Sequence, residues 1–570
     1  MNEAKIIQLT DNVERYKTLA QSKAEKGDYV SSLGYLFSAL KIEYSFDVLS
    51  IIAETYSDMG LLSLSNAYWY KYLSCCPLNK VTTAYEQLAI NFFYMEEYFA
   101  SSYYFHLKLS KDGFISKEGL EEEVIDFFSQ SFDKNSTYHL AYPFERADWS
   151  FEEKMAKHAL SVGDFKNAKK LYSKIPRECL SEESFGEYSM ALFLDGNDKE
   201  LIDACNDSLV RHGENVTAYC NLSSLYFAKK DKAQSNYYYQ QALRVNKNTI
   251  TDACKLATCA MEQEDHYNAS VNLQKIIKER TYDVNMTFFY AIAQANCGNY
   301  EGACNSFCEI YRIYPQDIIV QFYAEYLTQV AKNNSDYKNV LPLPYEKSLP
   351  SCITVSYKRK ITELFNDPKK ALSQIKREDV KNALKWALIQ DNVEYAKNAV
   401  FIMSNSNTQW AEETLLQALM DIDVCGEVKR SIIIVLILRG HKETFSVIAN
   451  DFFVKIKPKK LFCENKIDGE LYLAGYAICL SMLAFWNIDG FEKIAFSINK
   501  LYKKLGNEVY VDGVTPEEIG AMAVCISGFD RLKNPTEVCK FFDVRESVVL
   551  KYLQQVTKGN KKGEQNDKNS

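Results

Sequence analysis

The sequence predicts an all-α fold, an array of stacked two-helix hairpins followed by a C-terminal helical bundle. A punctuation of glycine, an Asx residue and an aromatic recurs between apolar stretches, as Gly27-Asp28-Tyr29, Gly163-Asp164-Phe165 and Gly298-Asn299-Tyr300. The same slot in the intervening copies is held by Gly163, Gly196, Lys230, Glu264 and Gly298, at spacings of 33, 34, 34 and 34 residues. That period marks a helical repeat array. Composition agrees, because 11 Pro and 22 Gly in 570 residues, with 47% hydrophobic and 25% charged residues, suit helices joined by short turns. The length also exceeds one ordinary core.

Within the array the clearest copy is Val216 to Thr249. Tyr219, Leu222-Ser223, Tyr226, Ser235, Tyr239 and Ala242 fall at the positions of a repeating aromatic and small-residue pattern, with Lys247 where proline is usual. The copy Val284 to Asp317 fills complementary positions with Tyr290-Ala291, Gly298, Ala303, Phe307 and Pro315. Both resemble a tetratricopeptide repeat, which implies a right-handed α-α superhelix. In such a repeat small residues mark the close crossing of a hairpin's two helices, and large ones fill the space toward the next hairpin, so each repeat buries its face only by stacking. Glycine in the punctuation slot suits a left-handed cap on the first helix. Proline at Pro77 or Pro315 stops the second.

Further copies begin near Val13, Phe46, Thr82, Trp149, Glu182 and Ile250, about eight in all. Three occupy residues 1–113 and five, with a closing helix, residues 149–334. The spacing breaks at 114–148, where Glu121, Glu122, Glu123 and Pro143 predict an irregular joint.

The resemblance implies that the second, fifth, ninth and twelfth positions of each first helix line a peptide-binding groove. These are Thr217, Cys220, Ser224 and Phe227 in one copy, and Asn285, Phe288, Ile292 and Ala295 in another. Neither copy offers the Lys/Arg clamp that some relatives use on a peptide's terminal carboxylate. Earlier copies place Glu14, Asp47, Glu54 and Glu86 at equivalent positions. Residues 1–350 carry 35 Lys+Arg against 47 Asp+Glu, a balance that opposes phosphate-backbone binding and favours a basic or polar peptide. A solvated acidic face is the competing explanation.

Pro342, Pro344 and Pro350 predict a linker over 335–350. Beyond it, 351–556 reads as a separate all-helical domain, with helices near Val355–Phe365, Asp379–Gln390, Val393–Met403, Gln409–Met420 and Glu427–Arg439, and 557–570 as a disordered tail. Pro535 to Leu553 has helix-turn-helix spacing: Val538 and Cys539 in one helix, a turn near Asp543 where glycine is usual, Val544 buried, then Val549 and Leu553. Pro516 to Ser527 precedes it as a helix with Thr515 and Glu518 forming a capping box. The segment resembles the closing helices of a cyclin-like or transcription-factor repeat. On that reading Arg545 and Lys551 are the DNA contacts of an alternative, transcription-regulating function; packing as the end of a bundle is the simpler expectation.

Catalytic and metal patterns are missing from the sequence. The six histidines are dispersed, and HExxH, GxSxG, CxxC and phosphate-loop motifs do not occur. Cys297, Cys304 and Cys308 lack a fourth ligand and read as small buried residues. The sixteen cysteines form no paired framework, which points to reduced thiols in a cytoplasmic protein. The N-terminus lacks a signal-peptide core. The charge-free run Leu471 to Ile488 reads as a buried central helix and not a membrane span, since Tyr472, Gly475, Tyr476, Ser481 and Asn487 interrupt it. Richness in Lys, Asn, Tyr and Ile suits an AT-rich bacterial genome. The expectation is a non-enzymatic scaffold without cofactor whose partner is a protein or peptide.

Overall fold

The structure is a computed structural model of the chain, and it describes residues 2–112, 163–245, 249–332, 341–390, 392–406, 408–464, 466–485, 491–529 and 534–558, with scattered helical positions between 153 and 160. The expected joint at 114–148, the start of the copy at Trp149 and nearly all of the tail lie outside the described residues.

The first block of hairpins is α1 (Asn2–Ala24), α2 (Tyr29–Ile42), α3 (Phe46–Asp58), α4 (Leu62–Cys75), α5 (Val81–Tyr94) and α6 (Tyr98–Asp112). The second is α7 (Phe165–Tyr172), α8 (Glu182–Leu194), α9 (Asp198–His212), α10 (Val216–Ala228), α11 (Lys232–Val245), α12 (Ile250–Glu262), α13 (His266–Glu279), α14 (Val284–Asn296), α15 (Tyr300–Ile313) and α16 (Ile318–Ala331). Five copy starts read from the sequence, Phe46, Glu182, Val216, Ile250 and Val284, are the first residues of α3, α8, α10, α12 and α14. Val13 falls inside α1 and not at a helix start.

The punctuation has a single backbone cause. Gly27, Gly60, Glu96, Gly163, Gly196, Lys230, Glu264 and Gly298 all adopt positive φ, between 56° and 85°. Each ends a first helix, and the next residue's amide reaches back to a carbonyl of that helix's last turn, as Asn197 N to Leu192 O at 2.9 Å and Asn299 N to Gln294 O at 2.9 Å. This is the bond that satisfies the helix's orphan carbonyls. That next residue then caps the second helix: Asp28, Asp164, Asn197, Asp265 and Asn299 each accept a backbone N–H three residues on. Period, turn and cap are therefore one device.

Packing follows from small residues at crossings. Ser223 and Ser235, both fully buried, exchange hydroxyl-to-carbonyl bonds of 2.9 Å where α10 meets α11. Ala291 and Ala303 allow the same close approach sterically between α14 and α15, both at 0% exposure. Leu222, Leu225, Phe185 and Tyr188 build one inter-hairpin cluster; Tyr239, Leu256, Leu273 and Ile276 build the next.

The chain divides into two compact units, 1–66 with 85–352, and 67–84 with 353–570. Inside the first unit the two blocks of hairpins meet: the buried Tyr56 hydroxyl donates to the Ile313 carbonyl at 2.5 Å, and Tyr29 stands edge-on to Tyr282. No local pattern announces a contact across 257 residues.

The second unit contains α17 (Ser351–Asn366), α18 (Pro368–Gln374), α19 (Glu378–Leu388), α20 (Val393–Asn405), α21 (Gln409–Leu419) and α22 (Gly426–Leu438), then β1 (Phe445–Ala449) and β2 (Phe452–Ile456), then α23 (Glu470–Phe485), α24 (Phe491–Leu505), α25 (Pro516–Ser527), α26 (Pro535–Phe542) and α27 (Glu546–Lys558). The antiparallel pair β1–β2 corrects the all-helical expectation for this domain. Its registers run from Phe445↔Ile456 to Ala449↔Phe452 around Asn450-Asp451, with Asn450 at φ 54°, and the β-branched and aromatic runs on either side are the missed signal. Residues 67–84, expected within the first repeat block, group here: Tyr70 stacks on Phe453 at 6.5 Å and donates to the Asp451 carbonyl. α23 packs against α22, α24 and α25. It crosses α25 closely, because a Cβ on Gly475 would stand 2.6 Å from Ile519. No helix among the described residues is long and apolar enough to cross a membrane.

Candidate peptide-binding surface

The implied groove positions separate into open and closed ones. Phe227, 42% exposed, and Asn285, also exposed, stand on α10 and α14. Ser224, half-buried, donates to Glu262 Oε2 at 2.7 Å, and burial of Glu262 raises its carboxyl above the ordinary value against the pull of that bond. Thr217 is buried against Gly186 of α8, where its methyl occupies the place a Cβ on that glycine would take. Phe288 stands edge-on to Phe307 and Tyr323 at 5.1 and 5.6 Å, and Ile292 is fully buried. In the last copy, then, Phe288 and Ile292 fill the space toward the next helix and do not line an open channel. The resemblance fixes a helix face but not how closely its neighbours approach.

The acidic positions of the earlier copies reach solvent differently. Glu86 is half-buried and pairs with the buried Lys108 at 3.5 Å. Glu54 is exposed on α3, yet the crowding of its carboxyl, and then Asp58 beside it, push its pKa up. Burial raises Asp58 as well. A cation placed between these two would relieve both shifts.

Beside this face the structure shows a feature that the predicted linker does not anticipate. Residues 341–350 lie along the second block of hairpins as irregular chain, bent at 342 and over 345–348, with the Ser348 N–H bonded to the Glu346 carbonyl at 2.8 Å. The Asn296 side chain, on the last residue of α14, brackets Leu343: its amide donates to the Leu343 carbonyl at 2.8 Å and its carbonyl accepts the Leu343 N–H at 2.7 Å. The Tyr345 ring packs on the cluster around Tyr239 and Leu273, and its hydroxyl meets His266 Nδ1 of α13 at 3.0 Å. Lys347 pairs with the buried Asp317 at 2.9 Å, and Tyr323 of α16 donates to the Ser348 carbonyl at 2.9 Å. Leu343 and Leu349 are buried, whereas Pro342, Pro344 and Glu346 face out. The available signal was apolar: Leu343, Tyr345 and Leu349 stand among the prolines, where a solvated linker would be polar.

At the C-terminal end the expected helix-turn-helix forms as α26 and α27 joined at Asp543, which is left-handed at φ 53°. Val538, Cys539 and Val549 are buried, while Val544 and Leu553 are less so. The capping box of Thr515 and Glu518 on α25 is present. Arg545 binds Glu518 through two nitrogens at 2.6 and 2.9 Å and also donates to the Gly513 carbonyl. Burial acts to raise the Glu518 carboxyl, but Arg545 and the Thr515 amide outweigh it and hold it below the ordinary value. Lys551 pairs with Asp512, whose carboxyl this bond lowers, and Asp512 also accepts from Tyr552. Both cations named for DNA contact are thus engaged in holding α27 to the residues before it.

All sixteen cysteines are free thiols, and Cys297, Cys304 and Cys308 belong to no cluster of metal-binding side chains among the described residues.

No family model and no curated protein matches this chain. Among solved structures it is similar to a tetratricopeptide repeat protein of Thermus thermophilus, at 13% identity over 32% of this chain and 99% of that one, with a TM-score of 0.26. It is similar to another from Parabacteroides merdae, at 12% identity over 56% and 99%, with a TM-score of 0.26. A third is yeast Tom70, at 10% identity over 88% and 99%, with a TM-score of 0.28. At such scores the repeat rests on the chain's own period, caps and packing.

Proposed function

We propose that this protein is a non-enzymatic scaffold whose hairpin array binds an extended segment of a protein or peptide. One observation carries the proposal: the array already holds a non-helical stretch of chain, 341–350, by bonds from the Asn296 and Tyr323 side chains to its backbone and by seats for Leu343, Tyr345, Lys347 and Leu349. Peptides are recognised by the same division, with backbone bonds giving affinity and side-chain seats giving selectivity. Basic or polar character in the partner suits the raised carboxyls of Glu54 and Asp58, and sixteen free thiols suit a reducing, cytoplasmic setting.

Screening the full chain against an array of immobilised peptides tests the proposal. A restricted class of peptides is expected to bind, and Phe227→Asp or Glu54→Lys should weaken binding about tenfold. Binding that ignores both substitutions, or no binding at all, contradicts it.

A further inference from the structure

We infer that His266, Asn296, Asp317 and Tyr323 form a peptide seat that the chain's own segment 341–350 occupies, and that an external segment of the same chemistry binds there by displacing it. The inference rests on the scaffold proposal and names the ligand: a stretch bent as 345–348 is, carrying leucine, tyrosine, lysine and leucine at the places of Leu343, Tyr345, Lys347 and Leu349.

Three features mark an occupant and not simple packing. The Asn296 amide satisfies both the N–H and the C=O of one residue, Leu343, a backbone contact that does not depend on that residue's side chain. The side chains then discriminate. Leu343 and Leu349 are buried, Tyr345 closes on His266, and Lys347 answers Asp317, whose other carboxyl oxygen is committed to the Ile319 and Val320 amides at the start of α16. The intervening Pro342, Pro344 and Glu346 face outward. Asp317 without a cation would be a carboxylate at 4% side-chain exposure with one oxygen unanswered, so the seat favours lysine or arginine at that place.

The tether sets how hard the occupant is to displace. Pro350 runs directly into Ser351, the first residue of α17, so the segment is held covalently beside the seat at an effective concentration on the order of millimolar. A free peptide of equal intrinsic affinity therefore competes poorly until the internal segment is released.

Fluorescence anisotropy of a labelled synthetic peptide, LPLPYEKSLP, against the full chain tests this. The wild type should bind it weakly. The doubly substituted chain Leu343→Asp, Tyr345→Ala should bind it at least tenfold more tightly, and Asn296→Ala in that background should abolish the gain. A scrambled peptide should not bind. No gain on release, or a gain that survives Asn296→Ala, overturns the inference. Should the released variant lose its helical circular dichroism, hydrogen exchange on the wild type decides: millimolar peptide should accelerate exchange of 341–350 and of no helix, and an unchanged rate overturns the inference. Peptides from the array screen that depend on Phe227 but do not compete with LPLPYEKSLP would leave the scaffold proposal standing while removing this seat.

Discussion

Lys230 and Glu264 sit in a backbone conformation that penalises any side chain with a Cβ, at φ 61° and 56°. Lys230→Gly is therefore expected to stabilise the array by about 1 kcal/mol, and Gly298→Ala, at φ 85°, to destabilise it by about as much. Urea unfolding of both variants checks the pair of opposite signs. At this scale the sequence is most legible where one physical cause repeats. The slot held by Lys230 and Glu264 follows from spacing alone, and the structure gives it the same left-handed geometry as the glycines. Phe288 and Ile292 are not legible as buried, because Phe307 and Tyr323 close over Phe288 from other helices. Arg545 and Lys551 likewise read as available, since nothing local shows that Glu518 and Asp512 face them.

Individual helices are legible nearly to the residue wherever a cap or an Asx turn marks them; α25, with Thr515, Pro516 and Glu518, is the plainest case. The β1–β2 hairpin escapes because its strands are short and set among long helices. It is anchored by Lys429 of α22, a residue 3% exposed whose ammonium donates to the Ile448 carbonyl at 3.0 Å. Burial lowers its pKa to about 8, with Asp421, Cys425 and Asp423 opposing. Between about pH 8 and the unfolded value near 10.5, the unfolded chain holds a proton that the folded chain has released, so raising the pH through that window favours folding. Lys429→Met should accordingly be more stable than wild type at pH 7, by about 1–3 kcal/mol, and the gap should close toward pH 10. Thermal melts across that range measure it; a gap that widens with pH contradicts the assignment. At the crossing of α23 and α25, Gly475→Val would place carbon against Ile519 and the Pro516 carbonyl, with an expected loss of about 3 kcal/mol in urea unfolding.

For the molecule as a whole, period and composition reveal a stacked helical array but not what lies on it. The meeting of Tyr56 with Ile313 and the seating of 341–350 both join residues far apart in sequence or lacking helical period, and neither leaves a local mark beyond the apolar Leu343, Tyr345 and Leu349 among the prolines. Tyr56→Phe removes one buried hydrogen bond and should lower stability by about 1–2 kcal/mol in the same unfolding assay. The central claim is that the array is a peptide-holding surface, and amide hydrogen exchange at Leu343 tests it most directly. The claim predicts that this amide is protected in the wild-type chain and exchanges at the rate of a free peptide in Asn296→Ala, with the helices α10 to α16 unchanged. Exchange of Leu343 at the free-peptide rate in the wild type itself would contradict it.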